Sequence, residues 1–181
     1  MSSRSAQVIG LCEDAQQYTF FYRLLKALGF SRHQIDIKRA PVGEGAAEKW
    51  VRDRYPDEVE VYRRKSSHQN FGLLVAIDAD TNPVKRRYRQ FNEELAEACQ
   101  DHRRHGEEIC IQVPKREIET WIYDLLGHEV NETDKYQDLE KESECQPAVE
   151  KLVDHLRNDV PDALIPSLKR GCKELDERLP E

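Results

Sequence analysis

Apolar positions recur with two different periods along this chain, and the changes from one period to the other divide it into alternating strands and helices. "AQVIGLC" (6–12) is a short apolar run of strand type. In the following "EDAQQYTFFYRLLKALGF", Phe20, Phe21, Leu24, Leu25 and Leu28 recur at helical spacing, and Gly29 stands where a helix ends. "QIDIKRA" (34–40) alternates as a second strand. "VGEGAAEKWVRDRY" then leads through a glycine-rich turn into a helix expected to stop near Pro56, with the charged residues 57–70 as a loop or irregular extension. "FGLLVAID" (71–78) is apolar on both faces, the pattern of a strand in a parallel sheet covered on both sides. Pro83 opens a long helix predicted to reach about His105, with Tyr88, Phe91, Leu95 and Cys99 as its inner stripe. "EICIQVP" (108–114) is a fourth strand, and "REIETWIYDLLG" (116–127) is a helix closed by Gly127. Beyond an acidic, exposed stretch, helices are expected near 147–158 and in "PSLKRGCKELDERL". This order implies an α/β fold, a mostly parallel sheet with helices on both faces, over residues 1–126, with a C-terminal helical extension (127–181) packed on the same domain.

Composition narrows the picture. A chain of 181 residues suits one core, and 35% charged against 38% hydrophobic residues, the latter arriving in blocks, suits a solvated globular surface rather than disorder. No apolar stretch approaches the roughly 20 residues of a membrane span, and "MSSRSAQ" lacks a signal peptide's hydrophobic region, so the expected location is cytoplasmic with no membrane partner. Cys12, Cys99, Cys110, Cys145 and Cys172 form no CxxC pair and read as reduced thiols. The net charge of -7 argues against gripping nucleic acid with the whole surface. Local basic stretches, "VKRRYR" (84–89) and "HRRH" (102–105), still suit phosphate.

The candidate chemistry lies in acids at strand ends. Asp78 and Asp80 close the central strand, and on a strand residues two apart share a face, so the two carboxylates should repel unless a divalent cation sits between them. Glu13 follows the first strand, and Glu117 and Glu119 follow the fourth. In open parallel sheets ligands bind beyond the carboxyl ends of the strands. Converging carboxylates there suit Mg2+ or Mn2+ with water and substrate phosphate completing the shell. Each acid also has a plainer reading: Glu13 as a first-turn helix acid, Asp80 as a helix cap, and one of Glu117 and Glu119 as merely solvated, because residues two apart on a helix face different ways. Lys115 and Arg116, or Lys169 and Arg170, are candidates to hold a scissile phosphate, against the alternative of ordinary surface charge. His102 and His105, one helical turn apart, are a weaker metal candidate.

Three of these pieces together resemble a known family. "VIGLCEDAQQYTFFYRLLKALG" resembles the first motif of Toprim domains, a strand ending in glutamate before a helix, and "LLVAIDAD" resembles their DxD motif. "VPKREIETWIY" is similar to a segment of small bacterial Toprim-like proteins and of the Toprim nucleases of the OLD group. The resemblance covers roughly residues 6–126. It implies a metal-dependent nuclease, with Glu13, Asp78, Asp80 and Glu119 as metal ligands, Glu117 beside them, and Glu13 as the first candidate base. It further implies nucleic acid as substrate, DNA ahead of RNA, and a separate ATPase partner in antiphage defence. The chain departs from the family in carrying Asp14 where glycine usually follows the glutamate. The competing readings are a non-catalytic Toprim-like interaction module and a DxD nucleotide-sugar transferase. A HAD-type phosphatase ranks lower, because its paired aspartates belong on the first strand.

Overall fold

The computed structural model describes residues 5–43 and 45–181; the first four residues of "MSSRSAQ" and Glu44 of the glycine-rich turn lie outside them. Strands β1 (Gln7–Cys12), β2 (Ile35–Arg39), β3 (Phe71–Ala76) and β4 (Ile109–Gln112) form an all-parallel sheet in the order β2-β1-β3-β4. Among the described residues six α-helices surround it: α1 (Ala15–Ala27), α2 (Ala47–Ser66), α3 (Val84–Glu97), α4 (Ile118–Leu125), α5 (Gln146–Arg157) and α6 (Pro166–Arg178). The α/β class, the parallel sheet and the C-terminal helices agree with the sequence reading and with a Rossmann-like layout.

Strand alternation divides the core in two. Val8, Cys12, Leu74, Ala76 and Cys110 face the layer of α1, α4, α5 and α6, whereas Ile9, Leu11, Leu73, Val75, Ile109 and Ile111 face α2 and α3. The segment after residue 127 buries Cys145, Val149, Leu152, Leu168 and Cys172 in the first of these clusters, beside Trp121 and Ile122 of α4.

Helix ends account for most differences from the sequence reading. Helix α1 stops as expected at Gly29, whose φ of 104 lets its N–H reach the Lys26 carbonyl while the Phe30 N–H reaches that of Leu25. Helix α3 uses the same device much earlier than His105. Cys99 adopts φ 56 and donates to the Ala96 carbonyl while Gln100 donates to that of Leu95, so the helix ends at Glu97. Cys99 is therefore exposed rather than part of the inner stripe, and His102 and His105 are not a helical pair. Helix α2 errs the other way and runs through Pro56 to Ser66. An interior proline costs about 3 kcal/mol, but the helical continuation buries Val59 and Tyr62 against the sheet, each contributing about 1.5–3 kcal/mol.

Strand β4 is an edge strand, and side chains satisfy its outer backbone groups. Arg103 donates to the Ile109 carbonyl at 2.8 Å, Tyr88 donates to the Ile111 carbonyl at 3.1 Å, and Glu174 of α6 accepts the Ile111 N–H at 3.1 Å. Glu174 is itself held by Arg103 in a two-pronged ion pair. Helix α6 seats tightly over the same region. A Cβ built on Gly171 would stand 2.4 Å from the Trp121 ring and 2.9 Å from Gln112, while Trp121 donates its indole N–H to Ser167 at 2.8 Å. Gly171→Ala is expected to destabilise the fold by about 1–3 kcal/mol, read as a drop of roughly 2–4 °C in melting temperature per kcal/mol. An unchanged melting temperature would show that α6 can slide away from Trp121. Among the described residues no helix is long and apolar enough to cross a membrane.

Candidate functional site

Strand order places the site. Strand β1 leads through α1 to β2 on one side of the sheet, and β3 leads through α3 to β4 on the other, with α1 and α3 on opposite faces. A crevice therefore opens between the carboxyl ends of β1 and β3, the point where α/β sheets bind ligands. Glu13 stands one residue beyond β1 and Asp78 two beyond β3. The Glu13 carboxylate accepts the Asp78 backbone N–H across this crevice.

The surrounding residues hold that contact in place. Asp14 caps α1, accepting the Gln17 N–H at 2.8 Å, and the Gln17 side chain accepts the Glu13 N–H at 2.9 Å. Arg87, 3% exposed, donates to the Asp78 carbonyl at 2.9 Å and to Glu48 at 2.9 Å. A cleft of about 430 Å³ opens in front, lined by Asp14, Asp78, Glu117, Glu119, Asp138 and Glu142, with Lys135 at its edge.

Its acids are held away from their ordinary ionisation. One carboxyl oxygen of Asp78 is sealed from solvent, and the Gln17 side chain is the donor beside the carboxyl. Burial, followed by the charges of Glu13, Asp14 and Glu119, pushes the Asp78 pKa well above the usual range. Burial raises Glu13 to about 7 against the opposing pull of the Asp78 N–H and Arg87. Burial also raises Glu119 to about 7; its own backbone N–H opposes the shift, and Glu117 and Asp14 add to it. Glu117 is raised as well, first by burial, although the Tyr136 N–H donates to it at 3.0 Å.

The structure brings Asp78, Glu119 and Glu117 into one cleft, joins Glu13 to them through the Asp78 N–H, and keeps the other candidates out. Glu117 shares the cleft with Glu119 because it precedes α4 in extended conformation, with φ -156, so the helical argument for divergent faces does not apply. Asp80 departs from expectation. Strand β3 ends at Ala76, and Asp80 adopts φ 59, which turns its 66% exposed carboxylate toward Arg116 at 3.8 Å instead of toward Asp78. Lys115 donates to the Asn82 carbonyl at 2.8 Å and Lys169 to that of Asp162 at 3.1 Å, and neither lines the acidic cleft. Arg170 lies 4.0 Å over the Tyr88 ring. Gln17, Arg87 and Asp138 escaped the sequence reading. A signal existed for Arg87, which occupies the i−4 position of the Phe91 and Leu95 stripe, where a core residue belongs.

Among the described residues no three histidine, cysteine or acidic side chains stand close enough to share an ion as they are. The donor chemistry nevertheless fits a hard cation, since Mg2+ is ordinarily held by one or two carboxylates plus water and phosphate rather than by an all-protein cage. The Asp78 carboxyl, which lines the cleft, is the group such an ion would meet. The chain matches no protein-family model, no curated protein and no solved structure.

Proposed function

We propose that the crevice between β1 and β3 hydrolyses phosphodiester bonds of nucleic acid with Mg2+ or Mn2+. The observation that carries this reading is the Asp78 carboxyl, lining the cleft and desolvated beside the charges of Glu13, Asp14 and Glu119 at the switch point of the sheet. The Toprim resemblance of the same residues supports it. Asp78 with one of Glu13 and Glu119 would hold the ion, water and phosphate completing its shell. When bound, such an ion supplies charge stabilisation on the phosphate oxygens and a more acidic water. Glu13, oriented by the Asp78 N–H, would take the proton from the attacking water in its ionised form. Arg87 fixes the loop that carries Asp78.

Supercoiled plasmid, single-stranded DNA and structured RNA, each with Mg2+ or Mn2+, are the test substrates. The parent should cleave at least one of them, with DNA ahead of RNA. Asp78→Asn and Glu13→Gln should lose roughly 100-fold or more, whereas Asp80→Asn, lying outside the cleft, should stay within about threefold of the parent. Cleavage by Asp78→Asn at the parental rate would remove the crevice from the chemistry.

One observation favours a second reading, a non-catalytic module that docks to a partner such as a separate ATPase. The ion pair of Asp80 with Arg116 takes the second aspartate of the DxD out of the cleft. Silence on all three substrates together with co-purification of a larger protein would select that reading.

A further inference from the structure

A second cleft, of about 850 Å³, runs between the start of α3 and the length of α6. Its lining carries Lys85, Lys115, Lys169, Arg170, Lys173 and Arg178 against three glutamates, in a chain whose net charge is -7. The glutamates are already committed. Glu174 holds Arg103 and the Ile111 N–H, Glu132 accepts the Ser167 N–H at 2.7 Å, and Glu177 pairs with Lys173 at 3.6 Å. Most of the cations, by contrast, meet only neutral groups. Lys115 and Lys169 donate to carbonyls, Arg178 donates to the carbonyls of Arg104 and Glu107, and Arg170 stacks on Tyr88. Their positive charge is left uncompensated inside a groove, where field lines concentrate.

We infer that this groove holds the phosphate backbone of a nucleic-acid strand and leads it to the acidic cleft. From Lys169 to Arg178 the helix spans roughly 14 Å, which corresponds to about four nucleotides. Lys115 lines the groove and Glu117, two residues further along the chain, lines the acidic cleft. Backbone contacts of this kind position a strand without reading its bases. The inference deepens the phosphodiester reading and rests on it for the direction in which the strand runs.

Fluorescence anisotropy with a labelled single-stranded oligonucleotide in EDTA tests binding apart from cleavage. The variant Lys85→Gln/Lys169→Gln/Lys173→Gln is expected to bind at least about 10-fold more weakly at low salt, and to lower the slope of log affinity against log salt by about 2. A charge-matched control, Lys26→Gln/Arg32→Gln/Lys151→Gln, removes three exposed cations outside the groove and should change affinity less than about twofold. Equal losses in the two triple variants, no binding by the parent, or equal binding of polyglutamate would each overturn the inference, the last by reassigning the groove to an acidic protein segment. Should the triple variant fail to fold, Lys85→Gln alone, at an exposed side chain, must still lower the salt slope by about 0.7. Binding by the parent without cleavage keeps the groove and removes the hydrolytic reading. Cleavage at the parental rate by the groove variant does the reverse.

Discussion

Asp78→Asn is expected to raise the melting temperature of the ion-free protein at pH 8 while removing its response to Mg2+ or Mn2+. The Asp78 carboxyl is desolvated beside Glu13, Asp14 and Glu119, and the Gln17 side chain opposes their effect. A neutral amide of the same shape carries no charge into that site, and its N–H2 finds carboxylate acceptors around it. Removing a desolvated charge there amounts to about 1–3 kcal/mol, or roughly 2–4 °C for each kcal/mol. In the parent, an ion present at ten times its dissociation constant adds about 1.4 kcal/mol. Thermal melts of both proteins in EDTA and in divalent salt measure the two effects together. A lower melting temperature for the variant, or an ion response equal to that of the parent, would show that Asp78 is a structural acid and not a ligand.

The ion-free protein should also lose stability as pH rises from about 5 to 8, the opposite of ordinary acid denaturation. Glu13 and Glu119 are held at about 7 by burial, above the unfolded value of 4.5. The folded state therefore binds their protons more tightly than the unfolded state does. Their contribution is complete below about 4.5 and is lost as pH climbs through about 7. Because the two carboxyls and Asp78 influence one another, the combined loss is on the order of 2–4 kcal/mol. Glu48 and Glu107 act in a different window. Burial raises each of them, but Arg52 and Arg87 outweigh it at Glu48, as do Arg63 and the Arg104 amide at Glu107, so their contribution disappears only at acid pH. Urea titrations in EDTA at several pH values check the trend, and Mg2+ or Mn2+ should stabilise more at pH 8 than at pH 5.5. Stability that is flat or rising over that interval would mean that the cleft acids are well solvated.

The outline of the fold was readable wherever a single period governed a segment. The doubly apolar run ending at Ile77, the α1 stripe and Gly29 all carried their meaning locally. The misses have other causes. At Pro56 local preference stops the helix and packing prevailed, because Val59 and Tyr62 needed burial, whereas at Cys99 one left-handed residue ends a helix that the apolar pattern would continue. For the site, the acids at strand ends were visible, yet their grouping depended on backbone dihedrals. The left-handed turn at Asp80 separated it from Asp78, and the extended conformation at Glu117 joined it to Glu119. No periodicity encodes such single-residue conformations. Arg87 was hidden for another reason, because inside "VKRRYR" a structural arginine is indistinguishable from surface charge until the apolar stripe is extended backward through it.

The occupied outer edge of β4 has a consequence for self-association. With the Ile109 and Ile111 carbonyls and the Ile111 N–H already bonded to Arg103, Tyr88 and Glu174, another strand could pair with these groups only after breaking those contacts, a desolvated ion pair among them. On the β2 side the charged Asp36 and Arg39 are exposed and Lys38 is held by Glu58, so charges flank that edge as well. The side chains that anchor α6 thus also keep this small open sheet from becoming a template for fibril growth.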